Sequence, residues 1–354
     1  MGIIVRYIGK QVAVSTALVL LVVTVLGFII TLVTELRDTG IGYYGFTQAV
    51  MHVFLMMPHI LYQFFPMIVL LGGVLGLGAL ASSQELMAMR ASGVSVSRIV
   101  FAVLSAALFL VALAALVGEL VAPSADYLAD VQKTIAQSSG QAVETAAGAW
   151  IHDGNNFLHI DHVASRRHLE GVTRYEFDGQ HRLLAAYHAK SMNFDKGKWI
   201  LHDVAKTTLN RDQTQSEHFA EAVWNIELKP TLLSGGFVEP EEMSLRHLYD
   251  YSSYLVQNGL QASTFQFEFW KRVFQPLTTL VMIFLAVPFV FGAPRSSTMG
   301  KRVLFAVMVG FIFYIFNAFL GQFSVVFQVS PFFAALLPTI LFAIAGYGLM
   351  KKNV

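Results

Sequence analysis

The chain has 354 residues, of which 55% are hydrophobic and only 13% are charged. A mean hydropathy of +0.58 excludes an ordinary soluble protein and indicates a membrane protein. The formal net charge of +1 says nothing about partners, and the absence of cysteine excludes disulfides and thiol chemistry.

Six apolar stretches are each long enough to cross a bilayer as a helix, which takes about 20 residues. They are residues 12–33, 50–81, 99–122, 267–291, 303–323 and 332–350. Pro58 and Pro66 predict that the second span is either a kinked helix or a broken segment. Gln275-Pro276 and Pro288 predict bends in the fourth span. An even number of spans places both termini on one side of the membrane.

Lysine and arginine in the short loops predict the orientation. One side carries Arg6, Lys10, Arg90, Arg98, Arg295, Lys301, Arg302, Lys351 and Lys352. The short loops on the other side, 34–49 and 324–331, carry only Arg37. We therefore expect both termini and the loop at 82–98 to be cytoplasmic. The insert between spans three and four, at about 124–264, should lie on the far side.

The loop at 82–98, between spans two and three, is predicted to form a short helix. Ser82 and Glu85 fit a capping box with Ser82 as the N-cap. Ser92-Gly93 supplies a stop, because glycine adopts the left-handed conformation at no steric cost. The apolar side of the helix consists of Leu86, Met87 and Met89. Such a helix is suited to docking on another protein, and the alternative is a solvated hairpin that merely joins the spans.

The insert is predicted to be a separate β domain followed by a helix. Its predicted strands are 149–153, 156–163, 171–177, 183–194, 198–210 and 217–228. Turn signals stand at Gly154-Asn155, Asp178-Gly179 and Lys196-Gly197. This spacing favours a sandwich or a barrel-like sheet.

A helical pattern replaces the strands after Pro240, and it ends at Asn258-Gly259. One face of this predicted helix carries Leu245, Leu248, Ser252 and Leu255. Ser263 with Gln266 is then expected to cap the fourth span.

The sequence contains no recognisable catalytic motif. It lacks the phosphate loop G-x-x-x-x-G-K-[ST], so it should not hydrolyse ATP itself, and it also lacks H-E-x-x-H and G-x-S-x-G. The HIDH sequence at 159–162 could suggest a metal site. On a strand, however, its last residue faces away from the first and third, so a solvated or hydrogen-bonded strand face is the better interpretation. His52 and His59 are two helical turns apart and are expected to pack near a bilayer surface.

Charged side chains near the far ends of spans one and three need an explanation, because a charge buried in a bilayer is costly. They are Glu35, Arg37, Asp38 and Glu119. One interpretation is that each side chain snorkels to the headgroups. The other is that Arg37 contacts an anionic group of a molecule that moves through the bundle.

The fifth span is unusually aromatic and has Asn317 in its middle. Its phenylalanines include Phe305, Phe311, Phe313, Phe316, Phe319 and Phe323. A lipid-facing surface explains most of them. A cavity that holds acyl chains explains them equally well and also gives Asn317 a wet interior to face.

Eight short stretches, spread in order over the whole chain, match a known family. They are RYIGK at 6–10, FFPM at 64–67, GLGAL at 76–80, SSQELMAMRASG at 82–93, GELVAP at 118–123, WIHDGNNFLHI at 150–160, FQPL at 274–277 and RSSTMGKRV at 295–303. With these stretches the chain resembles the LptF/LptG family of lipopolysaccharide export permeases, and its LptG branch more closely. DGNNF, after the third span, is the most specific piece.

The resemblance implies an α-helical membrane protein of the bacterial inner membrane, with six transmembrane helices and an inserted periplasmic all-β jelly-roll-like domain. The expected domains are residues 1–123, with a coupling helix at 82–93, residues 124–264, which end in an amphipathic helix, and residues 265–354. The implied function is that of a permease subunit of an ABC transporter for lipopolysaccharide.

The implied partners are an LptF-like permease, two copies of an LptB-like ATPase and an LptC-like periplasmic protein. ATP would be bound by the ATPase, so the chain itself should hold no cofactor and no metal, and no nucleic acid is expected to bind.

The resemblance also implies candidate site residues. Those that would couple to the ATPase are Glu85, Leu86, Met89, Arg90 and Gly93, with Glu85 facing the ATPase groove. Candidates for the lipid cavity, which spans one and five border in the family, are Phe28, Thr31, Glu35, Arg37, Phe313, Phe316, Asn317 and Phe319. Some relatives carry lysine near the far end of span one, where this chain has TELRD with only Arg37 basic.

Three other functions remain open from the sequence. A mechanotransmission ABC protein, which moves a periplasmic domain without carrying lipid, would also need the coupling helix, but it usually has fewer spans. A membrane-anchored periplasmic β scaffold without a transport role is the second. A membrane enzyme is the weakest alternative, because no nucleophile–base pair is evident.

Overall fold

The computed structural model describes residues 2–137, 149–153, 156–165, 168–178, 180, 182–195, 198–209, 214–224, 239–291 and 298–353. In chain order the helices are α1 (Gly2–Glu35), α2 (Phe46–Ser82), α3 (Glu85–Ala91), α4 (Val96–Leu116), α5 (Ala122–Gln137), α6 (Leu245–Gln257), α7 (Ser263–Phe291), α8 (Met299–Val326) and α9 (Pro331–Asn353). Six stretches are long and apolar enough to cross a membrane, namely α1, α2, α4 with α5, α7, α8 and α9. Each predicted span lies within one of them, which confirms the six-span architecture.

The second span, α2, is the most enclosed of the six, with 72% of its most apolar stretch buried. Helices α1, α5, α7 and α8 pack around it. Gly72 and Gly76 permit the approach of α1, because a Cβ atom on Gly72 would lie 2.2 Å from Thr16 Oγ1. A Cβ atom on Gly76 would lie 3.0 Å from the Cα of Val12. Small residues at these positions therefore allow two membrane helices to pack backbone against backbone.

The structure decides between the alternatives for the second span and extends the third span beyond its predicted end. Pro58 and Pro66 both lie within the continuous helix α2, so the alternative of a broken segment is wrong. The third span does not end at residue 122, because α4 passes through a π-helical turn, Val117–Val121, into α5. Gly118 in this turn lies so close to α2 that a Cβ atom would be 2.4 Å from the ring of Tyr62. The helix continues as α5, which is amphipathic and packs only one side on α2. The uninterrupted apolar run therefore ends at the start of α5, although the helix itself does not.

The insert forms one antiparallel sheet of six described strands. They are β1 (Ala149–Asp153), β2 (Asn156–Ser165), β3 (His168–Phe177), β4 (Leu183–Asp195), β5 (Lys198–Leu209) and β6 (Thr214–Trp224). Each strand pairs with the next, so the order in the sheet is the order in the chain. The inserted β domain and its six predicted strands are confirmed to within a few residues. The described strands form a single meander, and jelly-roll closure stays a prediction.

One face of the sheet carries its own hydrophobic core. The core contains Leu158, Ile160, Leu169, Val172, Met192, Trp199, Leu201, Val204 and Trp224. At the predicted turn after β3, Asp178 Oδ1 accepts hydrogen bonds from the backbone N–H groups of Gln180 and Arg182, at 2.8 and 2.9 Å. This is the self-bonding turn typical of aspartate. The predicted turns at 154–155 and 196–197 and the residue Gly179 lie outside the described residues.

The helix predicted after the sheet is confirmed as α6. Its buried side chains are Leu248, Ser252 and Leu255. Ser244 caps its start by accepting a hydrogen bond from the backbone N–H of His247 at 3.3 Å, and Gly259, with φ +67°, follows its end. Ser263 is the first residue of α7 rather than a cap before it. The division of the chain into residues 1–123, 124–264 and 265–354 stays a prediction.

The close contact of α1 with α2 predicts that Gly72→Ala destabilises the protein. The added methyl group would collide with Thr16, and overpacking of a tight core costs about 1–3 kcal/mol. We expect a lower melting temperature for the purified protein in detergent.

Gly348→Ala in α9 is the matched control, because among the described residues nothing lies within 4 Å of its Cβ position. Alanine favours a helix over glycine by about 1 kcal/mol, so this variant should melt at or above the wild-type temperature. A Gly72→Ala protein as stable as wild type would contradict the packing of α1 on α2.

Candidate functional site

The short helix α3 lies at the end of the bundle opposite the connection to the sheet, directly after α2. The predicted capping box is wrong, because α2 continues through Ser82, whose hydroxyl donates a hydrogen bond to the carbonyl of Gly78 at 2.8 Å. The N-cap of α3 is instead Gln84, in the left-handed conformation with φ 63°. Ser83 Oγ donates to Glu85 Oε1 at 2.9 Å. The connection between α2 and α3 is therefore a tight turn of two residues.

The predicted stop after α3 is confirmed. Gly93 has φ +91°, and its N–H donates to the carbonyl of Arg90 at 3.0 Å. The N–H of Val94 donates to the carbonyl of Met89, also at 3.0 Å. This pair of hydrogen bonds is the Schellman motif, in which glycine ends a helix. Gly93 therefore fixes the direction in which the chain enters α4.

The apolar side chains of α3 divide between the bundle and the surface. Leu86 is only 3% exposed and packs in the same core as Val94, and Met89 is partly buried against that core. The expectation that Leu86 faces outward as a docking anchor is therefore corrected: it holds α3 on its own bundle. The side chains that face outward include Met87, which is 60% exposed, and Arg90.

Three spans hold α3 in place. It follows α2 directly, and Tyr7 of α1 donates a hydrogen bond to Glu85 Oε2 at 2.6 Å. The hydrogen bonds from Tyr7 and Ser83 hold the pKa of Glu85 below its usual value, so this carboxylate is ionised. The guanidinium of Arg90 lies 5.6 Å from the ring centroid of Phe291 at the end of α7. A force applied to α3 would therefore act on α1, α2 and α7 together.

A cavity of about 280 Å³ lies between α2, α7 and α8, at the end of the bundle to which the sheet is connected. Its apolar wall includes Phe64, Pro66, Met67, Phe267, Phe313 and Tyr314. Its polar groups include Gln63, Glu241, Glu268, Lys271, Gln275 and Asn317. The segment Pro240–Glu242, which follows the sheet as a 3-10 helix, contributes to one side. The cavity thus combines an apolar surface with a polar, charged margin.

The candidate residues of the fifth span separate into two groups. Phe313 and Asn317 line the cavity, and Phe313 is buried. Phe316 and Phe319 are not among the described residues that line it; Phe319 is 59% exposed and contacts the ring of Phe323. One face of this span therefore borders the cavity, as the cavity interpretation expects. Another face forms the outer surface, as the lipid-facing interpretation expects.

The candidates of the first span are not among the described residues that line this cavity. Phe28 and Thr31 are half-buried, and Arg37 is exposed in a short 3-10 helix, Leu36–Asp38, beyond the end of α1. Helix α1 packs mainly on α2 and α4, whereas the cavity lies beside α8. A single copy of the chain therefore does not bring its two sets of lipid candidates together.

Glu35 is buried in an ionic network and does not snorkel. It accepts a hydrogen bond from the Tyr44 hydroxyl at 2.7 Å and pairs with Lys133 Nζ at 2.6 Å. The same ammonium group lies 2.6 Å from Asp38 Oδ2. Because Lys133 belongs to α5, these contacts join the end of α1 to the extension of the third span. Glu35 is therefore placed to stabilise the bundle rather than to contact lipid.

The histidines that could have suggested ligand sites have separate partners. His52 Nδ1 lies 3.2 Å from a backbone carbonyl of α5, and His59 Nδ1 lies 3.1 Å from Asp126 Oδ2. The two side chains therefore pack against different parts of α5, and their position near a bilayer surface stays a prediction. On β2, His159 Nδ1 lies 3.0 Å from Asp161 Oδ1, which confirms a hydrogen-bonded strand face.

Charged residues at the start of the fourth span were not predicted to belong to a site. Glu268 and Arg272 are 7% and 6% exposed, and Lys271 Nζ lies 2.9 Å from Glu268 Oε2. Three charges within five residues at the edge of an apolar span were the available signal. Glu119 also belongs to this region, because both of its carboxylate oxygens accept the backbone N–H of Leu245, at 2.9 and 3.1 Å.

Comparison with known proteins shows the family of this chain. The family described as lipopolysaccharide export system permease LptF/LptG matches residues 6–352. The lipopolysaccharide export system permease protein LptG of Haemophilus influenzae is 35% identical over 350 residues, which cover 98% of each chain. The protein of the same name from Escherichia coli strain K12 is 34% identical over 356 residues, which cover 99% of each chain. The chain therefore belongs to the LptF/LptG family of lipopolysaccharide export permeases.

Proposed function

We propose that this chain is the permease subunit of an ABC transporter that takes lipopolysaccharide from the outer leaflet of the bacterial inner membrane and passes it to a periplasmic bridge. The observation that carries the proposal is the full-length similarity to two proteins named for lipopolysaccharide export. This similarity favours export over mechanotransmission or a scaffold role. The cavity is suited to an amphiphile, because its apolar wall can hold acyl chains while its polar margin contacts a headgroup.

The proposed orientation places α3 and both termini in the cytoplasm and the sheet in the periplasm. The basic residues of the short loops support it, because they concentrate at the end of the bundle that carries α3. Arg90 and Arg98 both belong to the loop at 82–98 between the second and third spans. At the other end of the bundle, Arg37 is the only basic residue in the short loops.

Helix α3 is the proposed docking site for an LptB-like ATPase, one copy on each of two permeases. Its outward face, with Met87 and Arg90, is exposed to a partner, and its inner face is fixed by Leu86. ATP would be bound and hydrolysed by the ATPase alone. Closure of the ATPases would move α3, and its contacts with α1, α2 and α7 would pass this movement to the cavity wall.

A second, LptF-like permease is proposed to complete the lipid cavity. Only 11% of the most apolar stretch of α1 and 22% of that of α8 are buried within the chain. A partner that covers these helices would enclose Phe28 and Thr31 as well as Phe313 and Asn317. Arg37, exposed at the proposed periplasmic end of α1, is suited to contact lipid phosphate. Strand β6 is exposed and is an edge of the sheet formed by the described strands, so it offers an LptC-like protein a site for strand addition.

The orientation predicts which introduced cysteines are accessible. Because the chain has no cysteine, Ser216→Cys on β6 and Ser92→Cys after α3 each create a single thiol at an exposed position. An impermeant thiol reagent should label Ser216→Cys in intact spheroplasts and Ser92→Cys only after lysis. The reverse pattern would overturn the proposed topology.

The docking proposal predicts that Met87→Asp weakens copurification with the ATPase while the permease stays folded. The new carboxylate would lie on the outward face of α3, and a few central residues usually dominate an interface. Ser97→Asp, an exposed position at the start of α4, is the control and should retain the ATPase.

Leu86→Ala should instead lower the thermal stability of the permease, because removal of a buried leucine side chain costs about 2–5 kcal/mol of its free energy of unfolding.

Normal copurification and export by the Met87→Asp variant would contradict the docking proposal and would show that α3 only connects two spans.

The export function is tested by photo-crosslinking from the cavity. A photoreactive amino acid at Asn317 should capture lipopolysaccharide in cells. Ile340 of α9 is the matched control, because it is 44% exposed on the outer surface. The preceding residue, Thr339, contacts the cavity lining, because its Oγ1 lies 2.6 Å from Oγ1 of Thr278. The control therefore lies near the cavity. Equal capture at both positions would show that the cavity does not select lipopolysaccharide.

A further inference from the structure

A buried arginine joins the chain that returns from the sheet to the membrane helices. Arg272 of α7 is 6% exposed. Its Nη1 donates a hydrogen bond to the carbonyl of Gly118 at 3.2 Å, and its Nη2 donates to the carbonyl of Glu241 at 2.6 Å. Gly118 belongs to the π-helical turn before α5, and Glu241 belongs to the 3-10 segment after the sheet. One guanidinium group therefore bridges two separate backbone segments.

Glu119 completes this arrangement from the π-helical turn. Its Oε2 lies 3.7 Å from Arg272 Nη1, and both of its oxygens accept the N–H of Leu245, the first residue of α6. The carboxylate thus pairs with the buried cation and also caps the start of a helix, where negative charge is favourable. Loss of either charge would therefore remove this ion pair.

Helix α2 contacts the same group of residues. The ring centroid of Tyr62 lies 5.6 Å from the Arg272 guanidinium, and Gln63 Nε2 donates to Glu241 Oε2 at 3.1 Å. Gln275 of α7 donates to the backbone carbonyl of Tyr62 at 2.6 Å. Two membrane helices, the π-helical turn and the returning segment are therefore fixed to one another at a single level of the bundle. π-helical turns within longer helices are frequent at functional sites.

Both connections between the bundle and the β domain start at this group of residues. The chain leaves the bundle through α5, which follows the π-helical turn, and it returns through the segment Pro240–Glu242. Arg272 and Glu119 hold the outgoing and the returning connection together. The π-helical turn from which α5 begins and the segment Pro240–Glu242 are therefore held to each other where the chain leaves and re-enters the bundle.

We propose that Arg272 and Glu119 form a joint that transmits movement of the membrane helices to the β domain. This inference rests on the proposed export function and assigns Arg272 a positioning role, since it is not among the described residues that line the cavity. When the ATPase moves the helices, an intact joint moves the sheet with them. Without the joint the ATPase still turns over, but the lipid is delivered to the sheet inefficiently.

Arg272→Lys tests the joint, because lysine keeps the charge but cannot replace the planar two-sided guanidinium between two carbonyls. The assay uses proteoliposomes that contain the whole transporter and measures lipopolysaccharide delivered per ATP hydrolysed. We expect this ratio to fall about tenfold, which is the effect of one lost charged hydrogen bond on an equilibrium. Copurification with the ATPase and the rate of hydrolysis should be unchanged. Arg246→Lys, at an exposed arginine in the first turn of α6, is the matched control and should behave as wild type.

An Arg272→Lys transporter with the wild-type ratio would overturn the joint. If that variant fails to assemble, Glu119→Gln decides, because glutamine keeps an oxygen for the N–H of Leu245 but removes the charge beside Arg272. The same fall in the ratio supports the joint, and an unchanged ratio overturns it. Absence of delivery by the wild-type transporter would instead contradict the proposed function, so the two failures are distinguishable.

Discussion

Close packing around the backbone of α2 is the constraint on which the rest of the bundle depends. Gly72 and Gly76 admit α1, and Gly73 admits α7, where a Cβ atom would lie 2.9 Å from that of Ala286. A side chain larger than hydrogen at these positions would push apart the helices that enclose α2, because a close-packed interior has little free space. The first and fourth spans are therefore positioned by the absence of side chains on the second.

The ends of α2 then fix the two regions to which we assign function. At one end the chain turns directly into α3, which Leu86 attaches to the core. Towards the other end, Phe64 and Met67 form part of the cavity wall, while Tyr62 contacts the buried Arg272. One continuous helix thus connects the proposed ATPase contact with the cavity and with the joint to the β domain. A displacement of α3 would act directly on α2, because α3 follows this continuous helix after a turn of two residues.

Local patterns predicted the elements of this structure, and long-range contacts explain what they missed. The strands follow from alternating apolar residues between turns, and the spans follow from uninterrupted apolar runs. The partners of the buried charges could not be predicted, because Glu119 meets Leu245 across 126 residues and Arg272 meets the π-helical turn across 154. The inward direction of Leu86 was equally hidden, because an apolar residue on a short helix suits either a partner or its own bundle.

The central claim is that this chain exports lipopolysaccharide, and the most direct measurement follows newly made lipopolysaccharide in cells depleted of the protein. Pulse-labelled lipopolysaccharide is measured in inner- and outer-membrane fractions after separation by density. Our account predicts that the label accumulates in the inner membrane upon depletion and reaches the outer membrane again when the wild-type chain is restored. Delivery of the label to the outer membrane at the normal rate without the chain would contradict the account.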